Sequence, residues 1–511
     1  MVGLIVDDAW YALLAKALAT GHGYTLINSP SPGIHPFYPP FFPFVLSLVF
    51  RIAPDFPANV PLLKGVSIAA MAGAGVLTYA YFRTLRAVPA YAALGLAAAT
   101  ALYPALVFLA TSTLMSECVF TLLELAAIVA LEHSVRAGRD RAALRFAALG
   151  GVLVSAAVLT RPAGLGLLLG APLYFARERL PRTLAMFAVV TVLCVGPWAL
   201  YSRAHIPTPE QRSEQGANIV QPYTVQFWQR TAGRPLSGTI GFSDLPARVA
   251  NNLFEIANAD AGAIAIYPWF RALEPGDPVD LGRAQQALSL LLTALAVLGY
   301  VAAVRQRATL VEFVTPLALA VSVSWGWEQF RLLLPLVPFL SYYLMLGVAA
   351  LAAAVRKLRG NDAGAPRWAA ATALVAAIVA FDLYSHAQYL RRLNDPSSGH
   401  ALRWQRSFDA NERLIRQLGE ALPRDAVIAT QNPALVHLYT GQKTVASVDP
   451  SHAWETWRKI GVRYLAQISP YRIESREPFE SRFPTIYFSG GEFNFRVLDL
   501  GDPATRPSWM D

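Results

Sequence analysis

Long apolar runs separated by short arginine-rich links recur along this chain, and no other feature constrains its fold as tightly. The runs fall at about 60–82, 88–110, 112–133, 146–161, 163–176, 183–202, 285–304, 308–325, 331–354 and 368–388. A helix rises about 1.5 Å per residue, so about 20 apolar residues cross ~30 Å of hydrocarbon. Most of the runs meet that length. The run at 163–176 is short, and Pro162 and Gly164 set it off from its predecessor. Composition agrees: of 511 residues, 54% are apolar and only 15% charged, against about 25% charged in an ordinary globular chain. One core cannot hide that much apolar surface, so the bilayer is the expected solvent for much of the chain. The same figures exclude disorder, collagen and coiled coil. Cys118 and Cys194 both lie in apolar runs, which excludes a disulfide framework and a cysteine-rich zinc site.

Charge fixes an orientation. The net charge is +9, and a basic balance can signal nucleic acid. Here the alternate links 83–86, 134–145, 177–182, 305–307 and 356–367 hold 15 Lys and Arg against three acids, Asp140, Glu178 and Asp362. Their net charge exceeds that of the whole chain. Basic residues beside membrane helices stay cytoplasmic, and all five links fall on one side of the membrane. No nucleic-acid partner is expected.

With those links inside, five regions follow: an outer segment with juxtamembrane helices at 1–59, a transmembrane core at 60–202, a large outer loop at 203–283, further transmembrane helices at 284–390, and an outer α/β domain at 391–511. The opening MVGLIV is apolar but too short to span and too short for a signal peptide. It reads as the outer end of a helix that precedes the given sequence. Residues 39–53 reach only about 22 Å and carry Arg51 and three prolines, so they read as a short helix lying in the outer interface.

The tail changes character. AVIATQ (426–431), KTVASVD (443–449) and VRYLAQIS (462–469) read as strands, with PALVHLYTG and SHAWETWRKIG as helices between them. Such alternation predicts parallel pairing. Residues 484–489 and 493–499 flank Gly490 and Gly491 as a closing hairpin, and a helix over 408–421 precedes the strands. The tail has no glycine-rich phosphate fingerprint, and no internal repeat is seen.

Candidate chemistry clusters on the outer side. Asp7 and Asp8 open a helix, DDAWYALLAKALATG, where carboxylates also serve as plain N-terminal caps. The sharper reading is a general base at the water–membrane boundary. His35, in IHPFYPPFF, lines a polar cleft with Tyr38, or is structural. Glu117 lies near the outer end of its run, and Glu124 shares its face about 10 Å deeper. Ionisable groups in a membrane helix face a cavity or a partner. Arg161 in LTRPAG and Arg331 in WEQFRLLLPLVPF fall at outer helix ends, against the usual bias. They snorkel, or Arg331 pairs with Glu328, or the two form an anion site, for which the guanidinium fork suits phosphate.

The ordered set DDAWYALLAKALATGHGY, HPFYPPFFPFVLSLVF, STLMSECVF, VLTRPAG and FRLLLPLVPF resembles the multi-pass GT-C glycosyltransferases, in the branch of bacterial protein O-mannosyltransferases and aminoarabinose transferases. It covers roughly residues 7–350. The resemblance implies a helical membrane fold with an outer α/β domain, and a catalytic acidic pair mapping to Asp7 and Asp8. It maps a further acidic position to Glu117 and a donor-phosphate contact to Arg331. In the family the pair is often Asp-Glu, so Asp8 departs from the pattern.

The implied reaction moves a sugar from a polyprenyl-phosphate donor to a lipid, glycan or protein acceptor, in a bacterial cytoplasmic membrane with the site facing the periplasm. Asp7 or Asp8 takes the acceptor proton, Arg331 with Arg161 steadies the leaving phosphate, and a single displacement inverts the sugar carbon. No cofactor is required by this chemistry. A divalent cation bridging carboxylate and phosphate is compatible with it, though one acidic pair does not establish a metal. Two other readings compete: a transporter or flippase of lipid-linked sugars, which predicts repeats and mid-membrane ion sites, and a non-catalytic envelope assembly protein working through its outer tail.

Overall fold

The structure is a computed structural model that describes residues 2, 6–215, 217–234, 237–271, 281–358, 367–395, 401–447, 450–468, 482–489 and 495–501. Most of the opening MVGLIV, the glycines of the expected hairpin and most of the link 356–367 lie outside the described residues. Among the described residues nine α-helices lead the chain: α1 (Val6–Ala19), α2 (Phe41–Ile52), α3 (Val60–Ala80), α4 (Ala90–Ala101), α5 (Pro104–Ser112), α6 (Glu117–Ala137), α7 (Arg141–Val158), α8 (Leu165–Arg177) and α9 (Pro181–Ala204). The described part of the long loop that follows carries the α-helices α10 (Pro209–Glu214), α11 (Ala217–Val220), α12 (Tyr223–Gln226), α13 (Leu245–Glu255), α14 (Ala261–Ala265) and α15 (Tyr267–Phe270). The bundle is completed by α16 (Arg283–Arg307), α17 (Leu310–Ser324), α18 (Gln329–Leu333) with α19 (Val337–Leu358), and α20 (Arg367–Asn394).

Among the described residues, seven stretches of helix are long and apolar enough to cross a membrane, at Val60–Leu85, Glu117–Ala137, Arg141–Val158, Pro181–Ala204, Arg283–Arg307, Gln329–Arg356 and Trp368–Arg391. The protein is therefore a multi-pass membrane protein. The expected span 88–110 is α4 and α5, bent by 47° at Leu102–Tyr103, where Pro104 cannot donate a backbone bond. The run at 163–176 is short, as expected, and the run at 308–325 is shorter than expected. They fold as α8 and α17, of 13 and 15 residues with Pro172 and Pro316 inside, and reach only about 20 and 22 Å. The two pack on each other instead: Gly166 and Gly170 of α8 approach Ala318 and Val314 of α17 so closely that an added Cβ would stand about 3 Å from them. The expected helix 112–133 starts only at Glu117, because Thr113 is extended and ends α5.

Small residues also bring α16 and α19 together. A methyl group on Gly299 would run into the Tyr343 carbonyl, and one on Gly347 into that of Leu295. Helix association in lipid depends on such close backbone approach.

Basic links meet at one end of the bundle. Arg86 donates to Thr309 Oγ1 at 2.6 Å and pairs with Glu312 at 3.0 Å. Arg136 donates to the Thr84 carbonyl at 3.2 Å, and Arg177 to that of Ala308 at 2.8 Å. These bonds tie three of the five links to one another or to the turn at 308–309 that follows a fourth. α1, the loop after α9 and the tail lie toward the opposite end.

The tail begins with α21 (Ala401–Ala421), longer than the expected 408–421. It continues as β1 (Val427–Thr430), α22 (Pro433–Thr440), β2 (Lys443–Ala446), α23 (Pro450–Ile460), β3 (Val462–Gln467), β4 (Thr485–Ser489) and β5 (Phe495–Asp499). The sheet runs β2-β1-β3-β5-β4, with β2, β1 and β3 parallel and β5 antiparallel to both β3 and β4. The small-residue punctuation explains the helix between β1 and β2. Asn432 caps α22 by accepting from Leu435 N, Pro433 opens it, and Gly441 at φ 75° ends it in the left-handed region. The sheet domain docks on the loop after α1: Lys443 Nζ donates to the Ile27 carbonyl at 2.8 Å, and Thr444 N to that of Asn28 at 2.8 Å.

Candidate active site

Three elements bring charge to one point. Glu117 begins α6, where free N–H groups favour a carboxylate, and it is fully buried. Arg331, on α18, donates from Nε and Nη2 to Glu117 Oε1 at 3.2 and 2.8 Å. Arg161, at the break between α7 and α8, brings Nη1 to the same oxygen at 3.0 Å and donates to Ser116 Oγ at 3.1 Å. A single carboxylate oxygen thus holds two guanidiniums. The i,i+3 pair expected between Glu328 and Arg331 does not form. Glu328 precedes α18 with non-helical backbone (ψ 122°), off the helix face, and pairs with Arg271 at 2.6 Å.

Asp7 stands beside this cluster. Its Oδ2 is 3.9 Å from Arg331 Nη2, and Tyr38 donates its hydroxyl to Oδ1 at 2.6 Å. Burial, with Asp7 next to it, pushes the Tyr38 hydroxyl well above its ordinary range. Asp7, Tyr38, Arg161 and Arg331 all line one cavity of about 360 Å³ whose other walls are mainly apolar and aromatic. Glu117 lies behind the arginines, outside the lining. A cation pair braced from behind, with a carboxylate at its side, can receive a phosphate and take a proton from a neighbouring hydroxyl or amine.

The other sequence candidates are placed elsewhere. Asp8 is one helix step, about 100°, round from Asp7. It is fully buried and does not line the cavity. It faces α22, where burial pushes the Tyr439 hydroxyl up to about 12, with Glu412 and Asp8 adding to the effect. His35 lies in a ring cluster with Tyr201 and His205, its Nδ1 2.7 Å from the Tyr201 hydroxyl and 3.2 Å from the Tyr24 carbonyl. Tyr24 in turn donates its hydroxyl to the Tyr38 carbonyl at 2.9 Å, so His35 braces the loop that carries Tyr38. Glu124 is buried two turns deeper and does not reach the cavity. Among the described residues no group of three or more His, Cys, Asp or Glu is disposed to hold a metal.

Sequence reasoning passed over several wall residues. Tyr11 lies one turn after Asp7 on the same face of α1, its hydroxyl 3.2 Å from Ser116 Oγ. That i,i+4 spacing is a readable signal. Tyr223, Trp325 and Trp327 also line the cavity, and their loops carry no periodicity that would mark them.

No protein-family model matches the chain, and a search of curated proteins finds no match. Solved structures do match. The oligosaccharyltransferase of Archaeoglobus fulgidus, solved tethered to an acceptor peptide, superposes with a TM-score of 0.52 at 15% identity, over 90% of this chain and 64% of that one. This chain therefore spans a little under two thirds of that enzyme. ArnT of Cupriavidus metallidurans in its apo state aligns over 98% of this chain and 94% of its own, at a TM-score of 0.47 and 14% identity. Its form bound to undecaprenyl phosphate aligns at a TM-score of 0.45 and 13% identity, over 96% and 93%. With its multi-pass helices, its bent and half-length segments and its terminal mixed sheet, the chain has a GT-C-like fold.

Proposed function

We propose that this protein is a membrane glycosyltransferase that moves a sugar from a polyprenyl-phosphate donor to an acceptor hydroxyl or amine on the extracytoplasmic side. The observation that carries the reading is the convergence of the Asp7 carboxylate with the Arg161 and Arg331 guanidiniums on one largely apolar cavity. The gathering of basic links at the opposite end supports the orientation.

In this reading the acceptor oxygen or nitrogen attacks the sugar C1 while Asp7 takes its proton. The bond from C1 to the phosphate oxygen breaks, and polyprenyl phosphate leaves with the electron pair. A phosphate is a weakly basic leaving group and needs no strong general acid. Arg331 and Arg161, held by Glu117, stabilise the growing negative charge without reorganising, and such preorganised electrostatics supply much of the rate enhancement in many enzymes. The Tyr38 hydroxyl fixes the Asp7 carboxylate toward the cavity. One displacement inverts the configuration at C1. Aromatic and aliphatic walls suit the first isoprene units beside the phosphate.

The test is sugar transfer from a labelled polyprenyl phosphosugar in detergent. Asp7→Asn lowers the rate by about 10²–10⁴-fold, and Arg331→Ala by about 10²–10³-fold. Transfer at the parent rate in both variants would end the proposal.

A further inference from the structure

A second cavity, of about 670 Å³ and open to solvent, adjoins the first. Residues 229–233 and 325–327 form the wall between them, joined by a bond from Ala232 N to the Gly326 carbonyl at 2.8 Å. Trp327 lines both cavities and remains 38% exposed. The strip Thr231–Gly233 also passes from one to the other, Thr231 facing the second and Gly233 the first.

The second cavity is built rather than a chance gap. Its far wall is α13. From this helix Arg248 donates to the carbonyls of Phe227 and Gln229, at 2.7 and 2.5 Å. Asn252 donates to those of Val323 and Trp325, at 2.8 and 3.0 Å. These two side chains pin both strips of the dividing wall to one helix. At Gly326 the packing is tight enough that an added Cβ would lie 3.0 Å from the Arg230 carbonyl and 3.1 Å from Arg248 Nη2. Asn251 and Glu255, one turn apart on α13, line the cleft with Arg230 and Arg234. None of these four side chains makes a hydrogen bond or ion pair with the described residues.

Planar polar groups in both donor and acceptor form, gathered around a half-exposed indole, match one ligand chemistry. Carboxamide, carboxylate and guanidinium groups bond the paired hydroxyls of a sugar, and an indole face covers its C–H face. A lipid chain would strip water from these groups without replacing it. Glu255 and Asp244 on the lining oppose a simple anion. The apolar side chains of the lining are Ile240, Ala247 and Trp327.

We propose that this cleft binds a saccharide, and that the acceptor of the transfer reaction is a glycan threaded past Trp327 toward Asp7. The second half of this statement rests on the transferase reading above.

The test is saturation-transfer NMR on the full chain in detergent. The probes are neutral trisaccharides of glucose, N-acetylglucosamine, mannose and galactose, with a Ser/Thr-containing peptide and inorganic phosphate run separately. At least one trisaccharide binds. Trp327→Ala and Asn251→Ala each weaken it by about tenfold, the size of one lost stacking or hydrogen-bonded contact, while Asp7→Asn changes it by less than about threefold. If Trp327→Ala fails to fold, Asn251→Ala and Arg230→Gln, on the exposed rim, carry the comparison. Absence of binding by every trisaccharide overturns the proposal. So does binding unchanged in the cleft variants, or preferential binding of the peptide or phosphate that the same variants abolish. Saccharide binding without transfer from a polyprenyl donor leaves the cleft assignment standing and removes the transferase reading. Transfer that depends on Asp7, with no saccharide in the cleft, does the reverse.

Discussion

Replacing Glu117 by Gln keeps the shape of the side chain and removes the charge that holds Arg161 and Arg331 together. Both guanidiniums reach one oxygen, at 3.0 and 2.8 Å, so their bonding nitrogens lie within about 6 Å of each other. At an effective dielectric of ~20, two like charges at that distance repel by about 3 kcal/mol. Removing one member of a buried charged cluster typically costs about 3–5 kcal/mol. The arginine side chains keep 13% and 20% exposure toward the cavity, which places the expected loss near the lower figure. Thermal unfolding of the full chain in detergent reads this as a Tm lowered by several degrees. The neutral pair Glu117→Gln/Arg331→Gln removes the repulsion together with its counterion, so the double variant is less destabilised than the two single losses added. An anion does what Glu117 did: polyprenyl phosphate raises the Tm of Glu117→Gln by more than that of the parent. An unchanged Tm in Glu117→Gln, or strict additivity in the cycle, refutes the electrostatic account of this cluster.

Three further outcomes follow from separate parts of the molecule. Burial, helped by Lys16 and Lys443, holds the His437 imidazole down to about 4, against an ordinary value near 6.5. The folded state prefers the neutral ring, so its contribution is intact above about 6.5 and is lost as pH falls toward 4, by about 3 kcal/mol at most; Tm measured from pH 7 to 4 falls less steeply in His437→Gln than in the parent. Arg271 joins Asp260 at 2.7 Å to Glu328 at 2.6 Å, and burial, opposed by Arg271, lifts the Asp260 carboxyl to about 6. Arg271→Ala therefore destabilises more at pH 8, where an ionised Asp260 is left buried without its cation, than at pH 5, where the carboxyl is neutral; equal Tm losses at both pH values count against this. Gly299→Ala, which forces α16 and α19 apart, lowers stability by about 1–3 kcal/mol, read as a lower Tm, whereas Gly65→Ala, with open space around it, does not.

The apolar runs and their order, the clustering of positive charge in alternate links, and the strand–helix alternation of the tail are all legible in the sequence. These are local properties: hydrophobic length, helix-breaking Pro and Gly, and caps such as Asn432 and Gly441 act within a few residues and can be read in line. The same local signals misled at α17, because an apolar run does not reveal that its partner across the bundle is short. Asp7, Glu117, Arg161 and Arg331 were legible as candidates from residue type and position. That Glu117 takes both arginines, that Glu328 goes to Arg271, and that Asp7 rather than Asp8 faces the cavity emerges from the packing alone. Those choices join residues as far apart as 214 positions. They depend on the angle at which each helix presents its side chains to the others, which the packing of α1, α6, α8 and α18 fixes and the sequence of no one of them contains.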